Sequence, residues 1–307
     1  MVLPLELITM VIIILRVEGK RYIVSQYLCN RLFHTSLISN AIANELFIMN
    51  KRKIHINQDY EYLREWILFS IDNFNISGEI LSQKRNTLKV FLAPNGTKII
   101  IKRFKRPNII QTIIYSFFRK TKAMRAFFFS EYLNAHCVPT PNQVAYIEDY
   151  HNSLLGYSYY ISEYKQQDTC WILNDNISNK ELVQSLAKYI YKMHRCGFLH
   201  GDMNLSNFLY NKRNNKYEIS TVDVNRSVII DSPSQKQCLM TFRRLSHEEQ
   251  TLSFIVSEYA QLRNWSVDYC VNYVLNSVKQ LERHEDIRGL LTNKEPEYRK
   301  RKRLKMQ

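Results

Sequence analysis

Residues 197–210, GFLHGDMNLSNFLY, set a histidine, an aspartate and asparagines directly behind a stretch with helical apolar spacing. Leu182, Leu186, Ile190 and Met193 recur at three- and four-residue intervals, which predicts an amphipathic helix. Ser178 with Glu181 reads as a capping box at its start, and Gly197 as the left-handed residue just past its end. The polar residues therefore fall in a loop held against a helix. An Asn-rich surface turn is the plain reading of such a loop. The spacing His200-x-Asp202-x4-Asn207 points to more, because other residues elsewhere in the chain complete a pattern with it.

Those residues are Asp223, which lies between two strand-like runs downstream, and Lys102, near the end of a strand-like run upstream. Phosphoryl transfer of the kinase type uses a strand lysine on the nucleotide phosphates and a loop aspartate at the acceptor hydroxyl. It also uses an asparagine five residues later and a second aspartate, both on the metal ion. A hairpin between Asn207 and Asp223 would return the second aspartate to the same cleft. Taken singly, Lys102 reads as a solvated strand residue, Asp202 and Asn207 as loop caps, and Asp223 as a turn residue. Their joint occurrence favours the phosphoryl-transfer reading.

The 307 residues suffice for one two-lobed domain or two small ones, and 45% apolar content supports a packed core. A net charge of +15 implies an anionic partner: nucleic acid, an anionic membrane or a phosphorylated ligand. The 6 cysteines form no CxxC pair and read as reduced thiols. The histidines form no HxxxH or HExxH pattern, so a dedicated transition-metal site is not expected. Residues 5–15 are apolar but too short to span a bilayer, and Glu6 ahead of them argues against a signal peptide. Residues 1–48 are expected to be a dispensable extension or the product of a mis-assigned start, with the functional protein beginning at Met49; a membrane-surface anchor is the alternative.

Strands are expected over 87–92 and 97–104, joined at Asn95-Gly96, and over 143–148 and 156–163. Helices are expected over 108–118 and 121–136, and the polar segment 163–169 reads as a linker. Short strands at 217–222 and 227–230 flank Asp223. A second capping box at Ser246 and Glu249 starts a helix to Leu262, and Ser266 starts one to Arg283. Strands first and helices after define an α+β protein with a small β-rich N-lobe and a mainly helical C-lobe.

GFLHGDMNLSNFLY resembles the HGDLxxxNIL loop of the bacterial lipopolysaccharide-core sugar kinases, the Kdo and heptose kinases, which share the bilobal protein-kinase-like fold. IIIKRFKRPNIIQTIIYSFFRKTKAMRAF is similar to their third strand and following helix, YSYYISEY to their hinge, and STVDVNRS to their metal-binding segment. The resemblance covers residues 76–290 and implies an N-lobe at 49–165, a C-lobe at 166–293 and a basic tail at 294–307. It implies ATP and Mg²⁺ as cofactors, with Lys102 on the phosphates, Asp202 at the acceptor hydroxyl, and Asn207 and Asp223 on the metal. His200 would brace the loop, and Glu163 would lie in the nucleotide hinge. The implied acceptor is a sugar of the lipopolysaccharide inner core, met at the inner face of the inner membrane. Nucleic acid is then not the expected partner. An atypical protein kinase, a small-molecule phosphotransferase and a non-catalytic kinase-fold module stand as alternatives.

Two features depart from the family pattern. The phosphate loop, SGEILSQKRNT, holds only Gly78, so Lys84 or Arg85 and backbone amides would have to grip the phosphates. The helix glutamate that pairs with the strand lysine falls near Phe128 by spacing, and Glu131 is expected to substitute. Around residues 103–125, isoleucines and phenylalanines are flanked by Arg103, Lys105, Arg106, Arg119, Lys120, Lys122 and Arg125. The apolar residues are expected to pack on the lobe, and the basic flank to meet a membrane or the substrate.

Overall fold

The computed structural model describes residues 13–17, 20–24, 50–175, 178–292, 295–296 and 298–299. The expected extension and basic tail lie mostly outside these residues. The chain divides into two compact units, residues 1–51 with 150–153, and residues 52–149 with 154–307. In the first, β1 (Ile13–Val17) and β2 (Lys20–Val24) form an antiparallel hairpin in register Val17↔Lys20. All else described below belongs to the second, apart from the strand-end residues Asn50, Lys51, Tyr150 and His151.

That unit begins with an antiparallel sheet. Its strands are β3 (Asn50–Ile56), β4 (Glu79–Gln83), β5 (Thr87–Leu92), β6 (Lys98–Phe104), β7 (Gln143–His151) and β8 (Leu154–Glu163), in the order β3-β7-β8-β6-β5-β4. The β5–β6 hairpin forms as its alternation demands. Ala93 and Thr97 close the turn, in which Gly96 takes a positive φ. Alternation on β6 sends Ile99 and Ile101 into the core and puts Ile100 and Lys102 on the opposite face.

The core face is covered by α1 (Arg64–Asp72), which follows a 3₁₀ turn capped by the Asn57 side chain. Leu63, Ile67, Ile71 and Phe74 pack there on Phe91, Ile99, Val144 and Ile161. Each such fully buried aliphatic side chain contributes about 1.5–3 kcal/mol. Between β6 and β7 come α2 (Ile109–Phe117) and α3 (Lys122–Ala135), capped by the side chains of Asn108 and Thr121. Here one expectation is corrected. No residue of α2 is buried, and Ile109, Ile110, Ile114, Phe117 and the adjoining Phe118 are exposed. Its first tether is the Ser116 hydroxyl, which accepts from the Leu155 amide at 2.9 Å.

The rest is mainly helical. After β9 (Asp168–Thr169), α4 (Lys180–Arg195) buries Leu182, Val183, Leu186, Ile190 and Met193. Its cap is Asn179, whose side chain accepts from the Leu182 amide, one residue beyond the expected Ser178. β10 (Phe198–Leu199), β11 (Phe208–Arg213), β12 (Lys216–Thr221) and β13 (Val228–Ile229) follow. Then come α5 (Gln235–Thr241), α6 (Glu249–Leu262) and α7 (Val267–Thr292). The capping box belongs to α5, formed by Ser234 and Gln237. Ser246 caps no helix; buried, it donates to Asn174 Oδ1 at 2.6 Å and holds the turn ahead of α6. α4 packs on α6 and β12, and α6 on α7. Buried His194 joins α4 to α6 through the Tyr259 hydroxyl at 2.9 Å. The whole is an α+β fold with its antiparallel sheet first and its helices after.

Candidate active site

Two strand pairings draw the chemical residues together. β10 pairs with β13, which brackets the segment from His200 to Ser227. Inside it, β11 pairs with β12 in register Phe208↔Thr221, so Asn207 and Val222 lie side by side. The Val222 amide donates to the Asn207 carbonyl at 2.9 Å, and Asp223 is the next residue. The spacing between the two metal-type residues is thus set by the length of one hairpin.

The loop is locked by its own polar atoms. His200 is buried, and its Nδ1 accepts from the Asp202 amide at 3.1 Å, so Nε2 carries the proton donated to the Val222 carbonyl at 3.1 Å. Burial lowers the His200 pKa, against the Val222 carbonyl and the charges of Asp223 and Asp202, so the ring is neutral and holds the loop. The Asn207 amide donates to the Asp202 carbonyl at 2.9 Å, across the loop. The Asp202 carboxylate accepts from Arg226 through Oδ2 at 3.0 Å. Gly201 is required here: a Cβ on it would stand 2.0 Å from the Arg226 carbonyl oxygen.

Asp223 adopts a left-handed backbone, φ 59, at the entry to the 3₁₀ turn Val224–Arg226. Its Oδ1 accepts from Lys102 Nζ at 2.6 Å and also from the Asn225 side-chain amide. Burial works to raise the Asp223 carboxyl, but the Lys102 charge and hydrogen bond outweigh it and hold the group below its ordinary value. The contact crosses from strand β6 to the 223–227 turn.

Lys102, Asn207, Asp223 and Glu163 line one cavity of about 430 Å³. Leu88, Ile100, Leu209 and Val222 give it apolar walls, and Lys84 and Arg85 stand on its β4–β5 side. Asp202 joins its edge through Asn207. A cavity with apolar walls beside cations and a carboxylate suits a nucleotide with its phosphates. Glu163 is present, but its carboxylate is occupied: it accepts from the Tyr60 hydroxyl at 2.7 Å and from Asn142 at 3.0 Å. Burial, then Glu163 itself, pushes the Tyr60 phenol up.

The structure does not bring in Glu131. The positions of α3 that reach the cavity are Ala126 and Ser130, one turn apart, while Glu131 is exposed. Ser130 hydrogen-bonds the Tyr160 hydroxyl at 2.8 Å. The register read from sequence is rotated, since Phe128 packs near His55 and Tyr146 instead. Gly78 is likewise no phosphate glycine. Its φ is +82 and a Cβ would meet the Phe91 ring at 2.5 Å, so it serves packing at the open end of the β4–β5 hairpin, away from its turn. Arg226 was missed in the sequence, although a basic residue three positions past a metal-type aspartate is a visible signal.

For a magnesium ion, the donors present are the Asn207 amide oxygen and the Asp223 carboxylate. Among the described residues no three His, Cys, Asp or Glu side chains gather into a ligand cluster. Two protein ligands fit Mg²⁺, which completes its shell with phosphate oxygens and water.

The fold and this constellation define a kinase-like protein. Residues 108–264 match the Lipopolysaccharide kinase (Kdo/WaaP) family, and the chain belongs to that family. No curated protein sequence matches the chain. Among solved structures it is similar to WaaP in complex with acyl carrier protein, at 13% identity and TM-score 0.48 over 76% of this chain and 97% of that one. It is also similar to the Rio2 kinase–ADP/Mg²⁺–phosphoaspartate complex from Chaetomium thermophilum, at 13% identity and TM-score 0.42 over 76% and 74% of the two chains.

Proposed function

We propose that this chain transfers the γ-phosphoryl group of ATP to a sugar hydroxyl, of Kdo or heptose, in the lipopolysaccharide inner core. Family membership supports a kinase. The observation that carries the site assignment is the meeting of Lys102, Asn207 and Asp223 in one cavity, with Asp202 tied to its edge. In this reading Lys102 neutralises the phosphates and Asn207 and Asp223 hold Mg²⁺. Glu163 marks the nucleotide hinge, and because its carboxylate is engaged, the backbone there would face the base. Bound Mg²⁺ would neutralise charge on the β- and γ-phosphates.

Asp202 orients the acceptor hydroxyl. Arg226 holds Oδ2, so Oδ1 is the atom left to take the proton as the acceptor oxygen bonds to phosphorus and the bond to ADP breaks. His200 stays neutral and acts only by holding the loop. We divide the domain into an N-lobe at 49–165 and a C-lobe at 166–293, with 1–48 an extension and 294–307 a basic tail.

We further place α2 on the anionic inner face of the membrane. Its exposed isoleucines and phenylalanines lie between exposed Lys105 and Arg106 at one end and Arg119 and Lys120 at the other. No helix among the described residues is long and apolar enough to cross a membrane. Co-sedimentation with anionic vesicles at 0.1 and 1 M salt tests this placement; salt-independent or absent binding would remove it.

The non-catalytic reading draws on one observation, the lack of a carboxylate on the cavity face of α3. Incubation with labelled ATP and delipidated core oligosaccharide separates the two readings. Label on the sugar, lost in Asp202→Ala, supports the kinase; ATP binding without transfer supports the binding module.

A further inference from the structure

Cations gather beside Asp202 in addition to those at the cavity wall. Lys84, Arg85 and Lys102 line the cavity, whereas Lys122 and Arg125 do not. They rise from the first turns of α3, which packs directly against the Val224–Arg226 turn. Arg226 in turn holds Asp202 at 3.0 Å. Lys122 and Arg125 are both partly buried, and among the described residues neither forms an ion pair. Arg125 Nε is buried with no hydrogen-bond partner, although its guanidinium also meets the Tyr115 hydroxyl.

Burial lowers the pKa of Lys122 first, and then Arg85, Arg226, Arg125 and Lys102 do so by repulsion. Arg125 is lowered by burial, then by Arg119, with Tyr115 opposing and Arg226 adding. Like charges drawn together out of water, one with an orphaned N–H, are unfavourable unless an anion sits among them. The basic residues that sequence grouped as one flank therefore fall into two sets. Arg119 and Lys120 are exposed, and Lys122 and Arg125 turn inward beside Arg226.

We propose that Lys122, Arg125 and Arg226 form a second anion subsite, separate from the nucleotide phosphates, that takes a phosphate or carboxylate group of the acceptor. An acidic group docked there lies next to Asp202, so a hydroxyl on the same sugar is presented to that carboxylate. The subsite would select acidic acceptors over neutral ones. This rests on the kinase reading for the word acceptor, but the anion site itself does not.

Calorimetric titration of the full chain with inorganic phosphate tests it, in the presence of Mg²⁺ and a saturating non-hydrolysable ATP analogue. Phosphate is expected to bind alongside the analogue. K122Q/R125Q is expected to weaken phosphate binding about tenfold or more, with analogue affinity and melting temperature unchanged. Phosphate that competes with the analogue, or that binds the double variant as well as the wild type, overturns the proposal. If K122Q/R125Q does not fold, K122Q alone must still weaken phosphate, and undiminished affinity there overturns it. If the analogue fails to bind the wild type, the kinase reading falls. Loss of phosphate binding in K122Q/R125Q would still support the anion site, and its retention would still sink it.

Discussion

The two walls of the cavity are built on opposite plans. On the helical side, the 200–227 segment is interlocked: His200, Asp202, Asn207, Asp223, Asn225 and Arg226 each engage at least one polar atom with one another or with the local backbone. On the sheet side, the β4–β5 turn offers Lys84 and Arg85 with no ion-pair partner among the described residues, and α3 offers Ala126 and Ser130. The first wall is preorganised; on the proposed reading its side chains are held where charge would develop during transfer. Apart from Lys102, which Asp223 holds, the second supplies charge without fixed geometry. Substitutions in the first should therefore change rate or metal-dependent nucleotide binding, and substitutions in the second should change nucleotide affinity alone.

The largest effect is expected from Asp202→Ala, which should cut turnover by about 10²–10⁴-fold while the melting temperature and ATP affinity stay put. Near-normal turnover in the purified variant would mean the interlocked wall holds no base. Asp223→Asn should weaken Mg²⁺-dependent ATP binding about 10–100-fold, measured at limiting Mg²⁺. Equal affinities would take the metal away from that wall.

Acid should loosen the helical side in particular. Burial, then the Arg263 and His200 charges, lowers His194 to about 3, and burial lowers His200 as well. A folded pKa below the unfolded value of about 6.5 means the unfolded chain takes up protons first. Stability is therefore full above that value and falls as pH drops below it. Between pH 7 and 5, His194 alone should remove about 2 kcal/mol, visible in denaturant titrations and absent in a well-folded His194→Gln variant. A flat profile over that range would show the histidines are not held neutral.

Lys84→Gln with Arg85→Gln should raise the KM for ATP about fivefold to tenfold with kcat nearly unchanged, since exposed cations each contribute about 1 kcal/mol or less. A fall in kcat instead would show that the sheet-side wall is also preorganised. The smallest effect is expected for Glu131→Gln, within about twofold on every constant, as fits an exposed surface position. A large loss would restore Glu131 as a partner of Lys102.

The same contrast accounts for what could be read from the sequence. The interlocked wall is written locally: HGD, the asparagine five residues on, and a hairpin whose length returns Asp223. Helix α4 and the β5–β6 hairpin follow from periodicity and an Asn-Gly turn. The sheet-side wall depends on tertiary facts. Which face of α3 reaches the cavity is decided by Ala123, Phe127, Leu133 and their partners, and a rotation of one position moves Glu131 out and Ser130 in. Helix α2 shows the other limit, because its periodicity announces an apolar face without saying what covers it. Asn179 beat Ser178 as a cap because either side chain can serve, and the helix register chose.

The left-handed backbone at Asp223 restricts which residues the position can hold. A side chain with a Cβ costs about 1–2 kcal/mol there, and Asp and Asn ease that cost with local hydrogen bonds while Gly avoids it. Drift at this site is thus channelled toward two neighbours. Asparagine keeps the shape and removes the charge, and glycine keeps the shape and removes the side chain. An alanine or glutamate would register a backbone penalty and a lost charge as one sum. A relative that has given up phosphoryl transfer could carry asparagine here and keep its turn intact, so loss of activity at this site need leave no trace in the fold.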